Sequence, residues 1–183
     1  TASRWLAAIQ EALLDRTDTA MGSRLLARWL NQPLRERAAI QARQGSIREL
    51  LETGLHGVLQ RQLSGLADCE RITSRIALGT ARPRDVVALL QGLQRLPALA
   101  ETLATGLSPS PLASLRERLQ PRAGLTDLLA GALEEEPPLR IGDGGVIRAD
   151  FDPELDRLRG LEADAEGFLR DLEAREREAT GLS

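Results

Sequence analysis

Two residues of this 183-residue chain have side chains that commonly do catalytic chemistry, and neither has the neighbours that such chemistry needs. His56 is the only histidine, with no second histidine and no acid at ligand or base spacing. We therefore expect it on a helix surface. Cys69 shares an apolar helix face with Leu66, Ile72 and Ile76, which favours a small buried hydrophobe over a nucleophile.

Two other segments resemble ligand sites only superficially. The glycines at 142, 144 and 145 lack the Lys-Ser/Thr pair with which a P-loop holds phosphates and magnesium. A tight turn is the favoured interpretation. Three consecutive acids, Glu134 to Glu136, could bind a cation, but a solvated helix end is the simpler explanation.

Arginine pairs are the remaining candidates for a binding surface. Arg82 with Arg84, and Arg175 with Arg177, could contact DNA phosphates. The chain carries a net charge of −3, and no helix-turn-helix, zinc or aromatic-stacking signature is present. Surface salt bridging is therefore the default expectation. The sequence predicts no catalytic residue, no cofactor site and no metal site.

Composition points to a helical protein. Hydrophobic residues make up 42% of the chain and aromatic residues only 2%, so a core must be built from Leu, Ile, Val and Ala. This combination favours helices packed on helices. No apolar run is long enough to span a membrane, and the single cysteine fits a reducing compartment. We expect an all-α protein of the cytoplasm.

Apolar spacing and capping residues predict the individual helices. Ser3 caps a first helix, and a second runs from near Thr19 to before Pro33. Residues 34–53 form a third, with a break possible at Gly45, a stop at Gly54 and four inward residues, namely Ile40, Ile47, Leu50 and Leu51. Further helices are predicted at 55–63, 66–78, 83–96, 110–119 and 125–133.

The pattern changes after residue 138. Apolar pairs flank a glycine-rich stretch at 139–147, which predicts a short β-hairpin or an extended turn. Asp152 and Pro153 then begin a long helix, about 40 Å if it reaches residue 179. Acid–arginine pairs four residues apart support it, Asp171 with Arg175 and Glu173 with Arg177. An apolar seam recurs along it at Leu158, Leu161, Ala165, Phe168 and Leu172. We divide the chain into a helical body, 1–150, and a long helix, 151–183.

Four stretches of the sequence resemble one family. The first is the segment 14–34, with a polar start, Gly22, Arg24 and Trp29. The other matching residues are Asp15, Thr17, Thr19, Leu26, Leu30, Pro33 and Leu34 in that segment; Leu66, Asp68, Glu70, Arg71, Arg75 and 81–85; 144–147 with 154–156; and 176–178 with 180–182. In this order they resemble the helical core, or lever, domain of the MutS family of DNA mismatch-recognition proteins. Residues 1–10 match poorly, and 149–150 reads Ala-Asp where the family commonly has glycine.

The resemblance implies a mechanical role. In that family the matching region is the first half of the lever, whose long helix rises to a clamp that closes over DNA. The domain would couple the ATPase to the clamp and would not itself be an enzyme, because the ATPase domain with its ATP and Mg lies elsewhere in the parent protein. The implied partners are mismatched double-stranded DNA, a second MutS subunit and a MutL-type protein, with no membrane.

A second interpretation follows from the seam alone. A stand-alone helical adaptor could bind a partner helix through the same heptad-like positions. Concentration-dependent association of the chain, abolished by Leu161→Asp, would favour the adaptor. The sequence leaves open which mismatches a parent protein prefers, whether DNA touches this domain and how the seam is covered.

Overall fold

The computed structural model describes residues 13–106, 112–120 and 124–180. Within those ranges the chain forms helices and no strand, which confirms the all-α prediction. The helices are α1 (Ala20–Asn31), α2 (Arg37–Glu52), α3 (Leu55–Leu63), α4 (Cys69–Ala77), α5 (Pro83–Ala104), α6 (Ala113–Arg118), α7 (Leu125–Ala132) and α8 (Pro153–Thr180). A single 3₁₀ turn, Ile141–Asp143, lies between α7 and α8.

Helix α5 forms the centre of the body. It packs against α3, α4, α6 and α7, and α2 packs against α3. The core lies along these contacts because each helix turns its apolar stripe toward α5. Its buried hydrophobic residues are Leu55, Ile72, Val87, Leu90, Leu99, Ala100, Leu112, Ala132 and Leu133.

The predicted end of α5 before Pro97 is wrong. The helix continues through Pro97 to Ala104. A proline inside a helix removes one hydrogen bond and costs about 3 kcal/mol. Two residues beyond it, Leu99 and Ala100, are only 4% and 2% exposed, so apolar burial after the proline offsets that cost.

The predicted helix starts and stops at three places are confirmed. The Thr19 hydroxyl accepts a hydrogen bond from the Gly22 amide at 3.0 Å and caps α1, which ends before Pro33. Asp152 caps α8 by accepting from two backbone amides, and Gly54 closes α2 in a left-handed conformation with φ 70°. The predicted cap at Ser3 and helix start at 110–111 lie outside the described residues.

Helix α2 turns a different face inward from the one predicted. Ile47 and Leu51 are 49% and 62% exposed, whereas Glu49 is 3% exposed. Ile40 and Leu50 are half-buried, as expected, and the helix is continuous through Gly45. Just after α5, a Cβ at Gly106 would lie 2.5 Å from Glu49 Oε1. A larger residue there would require the Glu49 carboxylate to move.

The predicted hairpin at 139–147 is not formed. Residues 139–141 do not pair with 146–147; instead Leu133 forms an isolated antiparallel bridge with Ile147. The Glu134 amide donates to the Val146 carbonyl at 3.0 Å, and the Arg148 amide donates to the Ala132 carbonyl at 2.8 Å. An isolated two-stranded hairpin is marginal in water, and the segment after α7 already occupies the pairing positions. The glycine-rich stretch instead forms a turn, which was the other structure that the sequence allowed.

Helix α8 extends beyond this body as the sequence predicts. Its 28 residues correspond to about 42 Å. The seam residues are exposed, from 41% at Leu172 to 64% at Phe168. The division at residue 150 remains a prediction. Within the described residues, no helix combines the length and apolar character needed to cross a bilayer.

Candidate functional site: arginine contacts between the helices

The turn before α1 is held by Asp15. One carboxylate oxygen accepts from the Thr17 amide at 2.9 Å and from its hydroxyl at 2.6 Å, and the other accepts from the Ser23 hydroxyl. Hydrogen bonds from Ser23 and then Thr17 lower the pKa of Asp15 below its ordinary value. Gly22 is closely packed, since a Cβ there would lie 3.0 Å from the Thr19 hydroxyl oxygen. The polar start of α1 is therefore structural.

Arg24 joins α1 to α4 through a charged cluster. Its two terminal nitrogens each donate to Asp68 at 2.7 Å, a bidentate geometry, and one also donates to Glu70 at 2.7 Å. Asp68 is at the same time the N-cap of α4, where it accepts from the Arg71 amide at 3.2 Å. The Arg24 hydrogen bonds lower the pKa of Asp68 to about 2 and raise that of Arg24.

A second contact joins α1 to α2. The Arg43 guanidinium lies 3.5 Å from the centroid of the Trp29 ring, a cation–π arrangement. These two contacts and the Asp15 turn hold α1 in place. The helix adds little to the core, because none of its residues is buried. Arg24 and Trp29 thus position α1 against α4 and α2.

The next arginine contacts lead from α4 to α5 and beyond it. Arg75 donates to Asp85 at 2.6 Å, and Asp85 accepts from the Arg82 amide at 3.0 Å at the start of α5. The Arg82 backbone bond, followed by Arg75, lowers the pKa of Asp85. Arg84 donates to the Pro137 carbonyl at 3.2 Å. Arg84, a candidate for DNA contact, is instead bonded within the chain.

The last contacts connect the body to the base of α8. Arg148 donates to the Leu133 carbonyl at 2.8 Å, and Arg159 of α8 donates to the Ile147 carbonyl at 2.9 Å. Asp156 receives the Asp150 amide at 2.8 Å and Arg159 at 3.3 Å. Hydrogen bonds of Asp150, Asp156 and Arg159 therefore hold the turn between the body and α8.

Asp150 explains one departure from the family pattern. It has φ 64°, the only positive φ of a non-glycine residue among those described. Glycine adopts this left-handed region without penalty, and aspartate is one of the few other residues that tolerate it. Asp150 therefore occupies a conformation that glycine would adopt without penalty.

The contacts of His56, Cys69 and the glycines at 144 and 145 are those of residues with structural roles. His56 is exposed with Nδ1 3.0 Å from the Leu50 carbonyl oxygen, and Cys69 is half-buried against Gly92, where a Cβ would lie 3.1 Å from its Sγ. Burial raises the pKa of the Cys69 thiol, which opposes a nucleophilic role. Gly144 and Gly145 lie in the turn with φ 73° and 64°.

The remaining candidates from the sequence are the three consecutive acids and the arginines near the end of α8. Glu134 to Glu136 follow α7 without being helical, and Glu135 lies 3.5 Å from Arg148. Arg177 is paired with Glu173 at 2.7 Å, as predicted, whereas the Asp171 side chain lies outside the described part. No set of three potential metal ligands occurs within the described ranges.

Two grooves lie beside α5, and neither carries a catalytic arrangement. One of about 380 Å³ is lined by Val87, Leu90, Gln94 and Leu133, with Glu135 and Arg148 at its edge. Glu135 and Arg148 pair with each other, and no nucleophile lies beside a base among the lining residues. The described contacts hold helices relative to one another.

Sequence reasoning did not predict which residues these arginines contact. The residues concerned carry the family resemblance, and the sequence predicts no partner for any of them: Asp15, Arg24, Asp68, Glu70, Arg75 and Asp85. In the structure Asp15 bonds at the start of α1 itself, and the other five form the ion pairs that join α1 to α4 and α4 to α5. Glu49 was missed altogether, since periodicity assigns polar residues to the surface. The signal available was the co-occurrence of opposite charges within the matching stretches.

A comparison with protein families agrees with this architecture. The family model of MutS domain III, a domain found in mismatch-repair proteins, matches residues 12–181 of the chain. The match covers nearly all the described helices, from the Asp15 turn to the end of α8. Because the model matches most of the chain, the chain belongs to the MutS domain III family.

Proposed function

We propose that this domain is a mechanical lever in a mismatch-repair protein, coupling nucleotide state at an ATPase domain to DNA engagement at a clamp. In this proposal residues 1–150 are the body and residues 151–183 the lever. The domain neither hydrolyses ATP nor recognises a mismatch. ATP and Mg belong to the parent protein, as do its partners, namely mismatched double-stranded DNA, a second MutS subunit and a MutL-type protein. The expected compartment is the cytoplasm.

The observation that carries the proposal is the contrast between the two ends of α8. Its first turns are fixed to the body through Arg159 and Asp156. From about residue 160 onward, none of the described side chains is buried. A helix held at its base and extending about 30 Å further transmits a rotation of its base to its tip. Such a device suits coupling between distant sites.

The lever needs internal stiffness, and charged pairs along α8 contribute to it. Arg157 bonds both carboxylate oxygens of Glu154, at 2.7 and 2.8 Å, and Arg177 pairs with Glu173 at 2.7 Å. These pairs lie within one helix and tie nothing to the body. The exposed seam is where the returning half of the lever would pack in the parent protein.

The sharpest test compares the loss of the Arg159 contact at the base of α8 with the loss of the Arg157–Glu154 pair within the helix. In a full-length MutS protein carrying this domain, Arg159→Gln removes the bond to the Ile147 carbonyl, whereas Arg157→Gln removes only the pair with Glu154. We expect Arg159→Gln to reduce ATP-induced release of DNA by about fivefold or more, a typical coupling magnitude. ATP binding without DNA should be unchanged.

The control variant should behave as wild type in the same assay. Equal effects of Arg159→Gln and Arg157→Gln, or no effect of either, would contradict the lever. The purified 183-residue chain should also show no ATP turnover and no preference for mismatched over paired DNA in an anisotropy titration. Turnover or preference there would overturn the non-catalytic assignment.

The exposed seam also favours the second candidate, a helical adaptor. Leu161 and Phe168 are 53% and 64% exposed on a helix that could receive a partner helix. An adaptor would bind through the seam without a clamp or an ATPase. Sedimentation of the chain as a function of concentration tests this, with Leu161→Asp as the disrupting variant and Arg157→Asp as the control outside the seam. Association lost only in Leu161→Asp supports the adaptor.

A further inference from the structure

Helix α8 is joined to the other helices through one short contact. Among the described residues, the hydrogen bonds and ion pairs between 13–137 and 146–180 all lie between 132–135 and 146–148. We call this contact the latch. No closely packed pair of the described helices includes α8. The position of α8 relative to the other helices therefore depends on the latch.

Arg148 forms most of the bonds in the latch. Its amide donates to the Ala132 carbonyl at 2.8 Å, and its side-chain Nε donates to the Leu133 carbonyl at 2.8 Å. One further backbone bond runs from the Glu134 amide to the Val146 carbonyl at 3.0 Å. The latch is thus a minimal pairing of two extended segments, reinforced by one arginine side chain.

The residues that follow the latch are bonded to α8 instead. The Ile147 carbonyl accepts from Arg159 Nη2 at 2.9 Å, and the Asp150 amide donates to Asp156 Oδ2 at 2.8 Å. Both bonds lie within the segment 146–180, so neither has to break when the latch opens. This segment is therefore held together as one unit.

Two glycines precede that unit. Gly144 and Gly145 are exposed, with φ 73° and 64°, and a Cβ built on either would have no atom within 4 Å beyond its chain neighbours. Glycine adopts positive and negative φ about equally readily. A rotation of the chain at this point therefore meets little steric resistance.

The latch is weaker than the helices on either side of it. Val146 and Ile147 are only half-buried, and the Arg148 side chain is 41% exposed. Pairing of two short strands is marginal in water. Helix α5, by contrast, buries six residues, and α8 contains its own backbone hydrogen bonds. Local opening is expected first where few buried contacts hold the chain.

We propose that the latch is a releasable joint, which opens while α5 and α8 stay folded and lets residues 146–180 turn as one unit about Gly144 and Gly145. Arg148 is the positioning residue that keeps it closed. The use of such a joint rests on the proposed lever, because opening would disconnect α8 from the helices that drive it. The opening itself does not require that role.

Amide hydrogen exchange in a full-length MutS protein carrying this domain tests the joint. Arg148→Gln removes the side-chain bond to the Leu133 carbonyl, so we expect the amides of Glu134 and position 148 to exchange at least about tenfold faster. The Asp150 amide, bonded within the moving unit, should keep its rate, as should the amides of α5. Arg140→Gln, the same change at an exposed arginine outside the latch, should match wild type.

Several outcomes would overturn the joint. Latch amides that exchange as slowly as α5 in the wild type would show that the latch opens only when the whole domain unfolds. An equal rise at Asp150 would place the movement between the latch and α8. Unchanged latch exchange in Arg148→Gln would show that this side chain does not keep the latch closed.

A second measurement separates the joint from the lever. If both proposals hold, Arg148→Gln should also reduce ATP-induced release of DNA, as Arg159→Gln does. The expected exchange pattern with unchanged DNA release would support the joint and contradict the lever. Reduced release without faster latch exchange would contradict the joint and leave the lever supported.

Discussion

Helix α5 has 22 residues and buries six of them, whereas α8 has 28 residues and none of its described side chains is buried. Helix α5 tolerates an internal proline because burial on both sides of Pro97 stabilises it. Helix α8 has no such neighbours and depends on its N-cap, its own ion pairs and one arginine contact at its base. Helix α5 thus contributes most to the core, whereas α8 extends away from it.

Helix α1 is intermediate between the two. It lies beside the body as the other short helices do, but polar contacts rather than buried side chains position it. The comparison teaches that length and periodicity do not report how a helix is held. That depends on whether neighbours cover its apolar face.

The largest effect should come from a core residue of α5. Leu99→Ala removes a side chain that is 4% exposed and leaves a cavity, so we expect a loss of about 2–5 kcal/mol in the free energy of unfolding. Leu161→Ala in α8, 53% exposed, should change it by less than about 0.5 kcal/mol. Urea unfolding followed by circular dichroism measures both. Similar losses would contradict the contrast between the helices.

A smaller, local effect is expected for α1. Arg24→Gln leaves Asp68 and Glu70 without their shared cation, so α1 should detach while α5 stays folded. We expect amide exchange in α1 to rise about tenfold with little change in α5. Arg71→Gln, which loses only a contact of 3.5 Å to the same Asp68, is the control. Equal rises in α1 and α5 would show that α1 belongs to the cooperative core.

The contribution of the same ion pair should depend on pH. Hydrogen bonds from Arg24 lower the pKa of Asp68 to about 2, so the folded state holds this carboxylate in its charged form. The stabilisation is fully present above the unfolded pKa, about 4, and is lost as the pH falls toward 2. The difference in unfolding midpoint between wild type and Asp68→Asn should therefore narrow over that window. A constant difference would show that the charge of Asp68 is not what matters.

The smallest effect is expected within α8. Glu173→Ala removes a solvated i,i+4 pair with Arg177, worth less than about 0.5 kcal/mol. Helicity at 222 nm should fall slightly at low salt, and the difference from wild type should vanish in 1 M NaCl because salt screens the pair. A loss that persists in high salt would indicate packing rather than charge.

Local sequence was sufficient for three of the helix starts and stops, although not for the end of α5. Thr19, Asp152 and Gly54 were predicted from residue type alone, since a cap satisfies backbone groups within three residues of itself. The same holds for α8, whose ion pairs and cap lie within the helix, and for the turn at Gly144 and Gly145. Interactions this short leave their full signature in consecutive residues.

Tertiary structure decided what depends on distant neighbours. Pro97 inside α5, buried Glu49 and the pairing of Leu133 with Ile147 all contradict a local rule, because packing or hydrogen bonding from elsewhere in the chain outweighs it. The partners of Arg24 are 44 and 46 residues away, beyond any periodicity. The sequence by itself determined the family, the helical class and the long final helix. Only the folded chain decided which charges meet and which apolar faces stay uncovered, since both depend on how helices far apart in sequence lie together.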